Sequence, residues 1–241
     1  MPESKTDIIS RLQRDVLRLQ GFKPAAVGST LDLGPITTAF PNSVFPLGAI
    51  HEFLTTSLED TAATTGFLSG LLSSLLKTGG TCIWIGNSRT LFPIALHGFG
   101  ITPQHIIFID LPHEKEILWA MEEALKCSAL VAVVSELTEL NFTASRRLQL
   151  AVEQSQVTGF VIRKNPRGIQ TTASVTKWKI TSLPSEVMDE LPGIGFPKWN
   201  VELLKVRNGM PGNWQLEWVN GRFRFIEEAA YIVHTLQQKT G

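Results

Sequence analysis

Ile8, Ile9, Leu12, Val16 and Leu19 recur at spacings of three and four among Arg and Asp, which predicts an amphipathic helix over residues 5–20 with one apolar face. Four prolines and four glycines then punctuate residues 21–50, so this stretch reads as an ordered loop with short extended pieces and no helix. A strand over Ala49–Leu54 leads into the Thr- and Ser-rich run Thr55–Thr65, read as a turn. Phe67, Leu68, Leu71, Leu72, Leu75 and Leu76 follow at helical spacing, and Gly79-Gly80 ends the helix. The alternation continues with strand Thr81–Ile85, a helix near 90–98, strand His105–Ile109 and a helix near 113–127. Strand Leu130–Val134, a helix near 143–155 and strand Gly159–Arg163 complete it. Near-continuous apolar strands alternating with helices predict a parallel sheet covered on both faces.

From Ser174 the pattern changes to polar and apolar residues in alternation, as in SVTKWKI, WNVELLKV, NWQLEWV and RFRF. These segments predict antiparallel strands that extend the sheet, with Pro192–Pro197 as a loop between two of them. The fold class is therefore α/β, a mostly parallel sheet with antiparallel strands added at the C-terminal side. Three parts are expected: an N-terminal helix and linker over 1–44, a core over 45–226 and a C-terminal tail over 227–241.

With 43% hydrophobic residues, 241 residues suffice for one substantial core. The 22 basic and 22 acidic residues cancel, so no net field draws the whole molecule to nucleic acid or an anionic membrane. Residues 1–145 nevertheless carry 9 basic and 14 acidic residues, and residues 146–241 carry 13 and 8, so an anionic partner should prefer the C-terminal half. Cys82 and Cys127 lie in apolar segments without a zinc-ligand spacing and read as buried thiols. The polar N-terminus and the absence of an apolar run of about 18 residues argue against a signal peptide or a membrane helix, so a cytoplasmic location is expected.

A strand running through a polar turn into a long helix is the setting of a phosphate-binding loop, GxxxxGK[ST]. No Gly-Lys dipeptide occurs in the chain, and the turn holding Thr55, Glu59, Asp60, Thr61, Thr64 and Thr65 contains no glycine. Glycine lets backbone N–H groups curl around phosphate, and lysine neutralises the terminal phosphates. Glu59 and Asp60 instead bring negative charge to the helix N-terminus, where they also read as ordinary capping residues after Ser57. The five histidines show neither metal spacing nor a nucleophilic-triad pattern. No cofactor and no metal is expected.

The blocks FPLGAIHEFL (45–54), TCIWIGNSRTLFPIALHGFGI (81–101), the 117–164 stretch beginning ILWAMEEALKC, and PKWNVELLKVRNGMPGNWQLEW (197–218) resemble the ImuA family, within the RecA/SulA-like group. The resemblance implies a RecA-like core of the P-loop NTPase type with a degenerate nucleotide loop. It places Ser88 where RecA carries its catalytic glutamate and Ser135 where the magnesium-binding aspartate would lie. Glu136 would point to the other side of its strand, and as a lone strand-end glutamate it reads as solvated. The implied role is that of a non-catalytic adaptor in DNA-damage-induced error-prone translesion synthesis. The implied partners are an ImuB-like inactive Y-family polymerase, a DnaE-type DNA polymerase and RecA, with direct DNA contact left open. The same group leaves two rival readings, a SulA-like cell-division inhibitor and an ATPase with an atypical phosphate loop.

Arg163, Lys164 and Arg167 surround a turn after a central strand, and the resemblance puts them at a loop that contacts DNA in RecA, although this loop is shorter. A solvated basic loop is the alternative reading. Lys205 and Arg207 share one strand face, which in RecA faces a neighbouring subunit; here they are candidate contacts for an acidic partner or plain surface ion-pair residues. Ile8 and Leu12 are candidate partner contacts on the N-terminal helix. Trp178, Trp199, Trp214 and Trp218 sit in alternating strands and read as core cover, not as base-stacking platforms.

Overall fold

The computed structural model describes residues 31–226 apart from 32, 78, 89–90, 169 and 186–194. The expected helix bearing Ile8 and Leu12 and the tail over 227–241 lie outside the described residues. Within them a nine-stranded sheet runs in the order β3-β2-β4-β5-β1-β6-β7-β8-β9. The strands are β1 (Ile50–Thr55), β2 (Thr81–Gly86), β3 (Ile106–Asp110), β4 (Leu130–Leu137), β5 (Thr158–Lys164), β6 (Thr176–Leu183), β7 (Lys198–Val206), β8 (Gly212–Val219) and β9 (Arg222–Phe225). The first six positions of the sheet, from β3 to β6, are parallel, and β7 to β9 are antiparallel hairpin strands.

Helix α1 (Leu58–Leu76) covers one face of the sheet, and α2 (Glu114–Leu125) and α3 (Phe142–Ser155) cover the other. Phe67, Leu68, Leu71 and Leu72 of α1 are completely buried against the strands. Each such side chain contributes roughly 1.5–3 kcal/mol relative to exposure. The alternation in β6 to β8 resolves as expected: Trp178, Ile180, Trp199, Val201, Leu203, Leu216 and Trp218 are buried on the α1 side. Trp214 packs partly buried against the same cluster, so the four tryptophans line the core.

Several elements differ from the sequence reading, each for a local reason. Residues 34–43 form two short 3-10 turns, Gly34–Ala39 and Pro41–Ser43, each with proline at its start, where no helix was expected. Leu31, Leu33, Ile36 and Phe40 from this region are buried in the core. The segment expected as a helix near 90–98 is a 3-10 helix over Pro93–Phe99, stopped by Gly100 in the left-handed conformation. Strand β6 is parallel to β1 and not antiparallel to its neighbours throughout, because coil residues 165–175 carry the chain back along the sheet before β6 begins. Hairpins start only after it. Cys82 is buried, which pushes its thiol up to about 12, but Cys127 is exposed just beyond α2.

Gly209 fixes the turn after β7 against the first 3-10 turn. A β-carbon there would lie 2.1 Å from Ala39 O, the carbonyl that accepts from Met210 N at 2.9 Å. Because a backbone oxygen cannot swing aside, Gly209→Ala is expected to cost on the order of 2 kcal/mol by overpacking and loss of that bond. Urea denaturation of the variant beside the parent chain measures this, and an unchanged midpoint contradicts it.

Candidate functional site

The carboxyl ends of the parallel strands gather the residues singled out from the sequence. Strand β1 ends at Thr55 and α1 starts at Leu58, so only Thr56 and Ser57 lie between them, and Glu59, Asp60, Thr61, Thr64 and Thr65 belong to the helix. The eleven-residue turn read from the sequence is therefore corrected to a two-residue connection. Ser57 caps the helix by accepting from Asp60 N at 3.0 Å. Asp60 reaches back with Oδ2 to accept from Thr56 Oγ1 at 2.6 Å and Thr56 N at 3.3 Å. Thr61 Oγ1 donates toward Ser57 O at 2.8 Å and Thr55 Oγ1 at 3.0 Å. The carboxylate and hydroxyls of the chain itself thus occupy the positive end of the helix dipole.

Next to this turn, Gly86, Asp110, Glu136 and Lys164 stand at or near the ends of β2, β3, β4 and β5. Glu136 is buried, which overturns its reading as a solvated residue. Its Oε1 accepts from Trp84 Nε1 at 2.8 Å, and its Oε2 forms an ion pair with Lys164 Nζ. A β-carbon at Gly86 would sit 3.2 Å from Glu136 Oε2, so the glycine lets the carboxylate approach the strand closely. Ser135 points to the opposite face, where its hydroxyl donates to Met121 Sδ at 2.8 Å. A cavity of about 10 Å³ between Trp84, Gly86, Ser88, Leu91, Asp110 and Glu136 has room for about one water. Among the described residues no group of three or more His, Cys, Asp or Glu side chains is placed to hold a metal.

On the α3 side the expected basic cluster separates into distinct environments. Arg163 is fully buried and not part of a surface patch, because two carboxylates fold around it. Its guanidinium donates to Glu52 Oε1 at 2.8 Å, to Glu139 Oε2 at 3.1 Å and to Thr138 O at 3.4 Å. Glu52 Oε2 accepts from Thr172 Oγ1 at 2.5 Å and Ser174 Oγ at 2.9 Å and lies 3.4 Å from Lys177 Nζ. Desolvated charges persist in a core only when paired and hydrogen-bonded, and here both conditions are met. Lys164 faces Glu136 as described, while Arg167 is exposed and its backbone N donates to Glu139 Oε1 at 3.1 Å.

Lys205 and Arg207 do lie together on one side, and both turn toward the 165–175 crossover. Lys205 Nζ donates to Thr172 O and Ser174 O, at 3.1 and 3.2 Å, and Arg207 donates to Ala173 O at 2.8 Å. Burial lowers the pKa of Lys205, and the Lys177 and Arg207 charges lower it further against the pull of Glu52. Burial likewise lowers that of Arg207. Sequence reasoning missed Glu52, Thr172 and Ser174. The available signal was a glutamate beside His51 within a strand segment otherwise made of Ile50, Phe53 and Leu54.

Compared with models of known protein families, the chain matches none. Protein ImuA of Caulobacter vibrioides strain NA1000 / CB15N is 34% identical to it over 194 residues, covering 76% of this chain and 80% of that protein. The chain belongs to the ImuA family. Protein ImuA of Caulobacter vibrioides strain ATCC 19089 / CIP 103742 / CB 15 gives the same identity and coverage. In this ImuA-family chain, the candidate site is thus a strand-end surface whose carboxylates and cations are largely engaged with each other. No helix among the described residues is long and apolar enough to cross a membrane.

Proposed function

We propose that the chain is a RecA-like accessory protein of DNA-damage-induced error-prone translesion synthesis, acting as an adaptor between proteins and without ATP hydrolysis. Membership of the ImuA family carries the biological part of this reading. The RecA-like part is supported by the strand order, in which the β1–α1 unit lies centrally beside β5 and antiparallel strands extend the far edge. The loss of ATP chemistry is supported by the two-residue connection between Thr55 and Leu58, where an eight-residue phosphate loop would be needed. Asp60 stands at the helix N-terminus in place of a phosphate, and Lys164 stands beside Glu136 in place of a cation.

The partners proposed are an ImuB-like inactive Y-family polymerase, a DnaE-type polymerase and RecA. Tagged full-length chain mixed with each purified candidate should retain at least the ImuB-like protein, and deletion of residues 1–20, which removes Ile8 and Leu12, should weaken that retention. Failure of the full-length chain to retain any of the three overturns the adaptor reading. Deletion of the gene should lower ultraviolet-induced mutation. Normal mutation frequency, with filamentous growth on overexpression, would instead support a SulA-like inhibitor.

A further inference from the structure

The crossover after β5 is held by more positive charge than the carboxylates beside it balance. Lys205 and Arg207 direct two full charges at three consecutive backbone carbonyls, those of Thr172, Ala173 and Ser174, which carry no net charge. Lys177 adds a third, donating to Gln170 O and lying near Glu52 Oε2. Glu52 is already paired with Arg163 through its other oxygen, and Glu139 is bound to Arg163 as well. Glu153 of α3 pairs with Arg146 at 3.7 Å and acts on Arg207 only through its field. Burial is the main cause that lowers the pKa of Lys205, and the charges of Lys177 and Arg207 lower it further.

Beside these cations opens a cavity of about 330 Å³, lined by Gln170, Thr171, Lys177, Leu204 and Lys205. A register shift between Lys177 and Trp178, facing Leu203 and Lys205, leaves Leu204 as the extra residue of a bulge. Leu204 is 38% exposed at the cavity wall. Partly exposed Lys205, together with Gln170, Thr171 and Leu204, lines this space of ligand-pocket size, and Lys177 beside it is itself buried. Such a set is complementary to a carboxylate next to an aliphatic side chain. A nucleic-acid strand suits it poorly. Trp178, Trp199 and Trp218 are buried on the opposite face with Trp214 packed beside them, so none of these rings offers a stacking platform.

We propose that this cavity docks a short acidic peptide segment of a partner protein, its carboxylate on Lys205 in the positive field of Lys177 and Arg207 and its aliphatic side chain on Leu204. The inference rests on the adaptor reading and names the chemistry of one partner contact. Titration of the full-length chain into fluorescein-labelled Asp-Asp-Leu-Asp-Glu, followed by anisotropy at low salt, tests it directly. Saturable binding is expected, weakened at least tenfold by Leu204→Glu and by Lys205→Gln and unchanged by Lys115→Gln on the exposed start of α2. Leu204 takes part in none of the side-chain hydrogen bonds that hold the crossover, so Leu204→Glu should keep the parental unfolding temperature while losing the peptide. Absence of saturable binding, equal binding by Leu204→Glu, or displacement of the peptide by oligothymidine overturns the proposal. A chain that retains its partner proteins in the pull-down yet ignores the peptide overturns the pocket alone. One that binds the peptide but retains no partner supports the pocket and overturns the adaptor reading.

Discussion

Arg163→Met is expected to destabilise the protein by about 3–5 kcal/mol, the usual cost of removing one member of a buried ion pair. The loss comes less from the missing bonds than from what remains. Glu52, with no exposed surface, would be left with only two hydroxyls and the more distant Lys177 as partners. Glu139 would at the same time lose its bond to the guanidinium and keep only its bonds to the crossover, from Arg167 N and Gln170 Nε2. Glu52→Gln should be milder, because the amide still bonds the hydroxyls. Combining Glu52→Gln with Arg163→Met should recover a large part of the single-variant loss, since the second change removes the stranded charge. Chemical denaturation of the four proteins of this cycle gives the coupling. An Arg163→Met protein within 1 kcal/mol of the parent, as an estimate of ordinary surface behaviour, contradicts the buried-network description.

Acidification should weaken the fold between pH 6.5 and about 3 through His51. This histidine is completely buried between Phe45 and Phe160, with ring centroids 4.4 and 5.5 Å away. Trp178 Nε1 donates to Thr176 Oγ1, the Thr176 hydroxyl donates to His51 Nδ1 at 2.8 Å, and His51 Nε2 donates to Pro46 O at 3.0 Å. That relay fixes the neutral tautomer, and burial drives the pKa down from 6.5 to about 3. Above pH 6.5 both folded and unfolded chains hold His51 neutral, so nothing is lost. Below it the unfolded chain takes up a proton that the folded chain refuses, and stability falls by about 1.4 kcal/mol per pH unit. The expected loss is roughly 2 kcal/mol at pH 5, approaching about 4 kcal/mol near pH 3. His51→Asn should be less stable at pH 7 yet show a shallower decline below 6.5. Parallel declines of the two proteins would contradict this assignment.

Strand positions were legible in the sequence because apolar runs such as Cys82–Ile85 and Val131–Val134 admit little else between turn signals. The cap of α1 was legible too, since Ser57 followed by Asp60 three residues later is a helix-start pattern. The length of that helix was not, because Thr61, Thr64 and Thr65 favour turns by composition, while burial of Ala63, Thr64 and Phe67 against the sheet makes them helical. The direction of β6 was hidden for a different reason: the 165–175 crossover has no periodicity of its own and is held by Lys205 and Arg207, about 30 residues further along the chain, together with Lys177 of the strand that follows it. Arg163 looked like a surface charge because its partner Glu52 is 111 residues away. Only the pairing of β1 with β5, which places Leu54 opposite Arg163, brings the two together.

The proposed function requires a RecA-like scaffold that does no ATP chemistry. Isothermal titration of the full-length chain with magnesium-ATP, with phosphate release followed in the same samples, tests this most directly. The expected result is no saturable heat up to millimolar nucleotide and no phosphate release above the protein-free rate. Saturable uptake at micromolar nucleotide, accompanied by turnover that Asp60→Ala or Lys164→Ala alters, would contradict it.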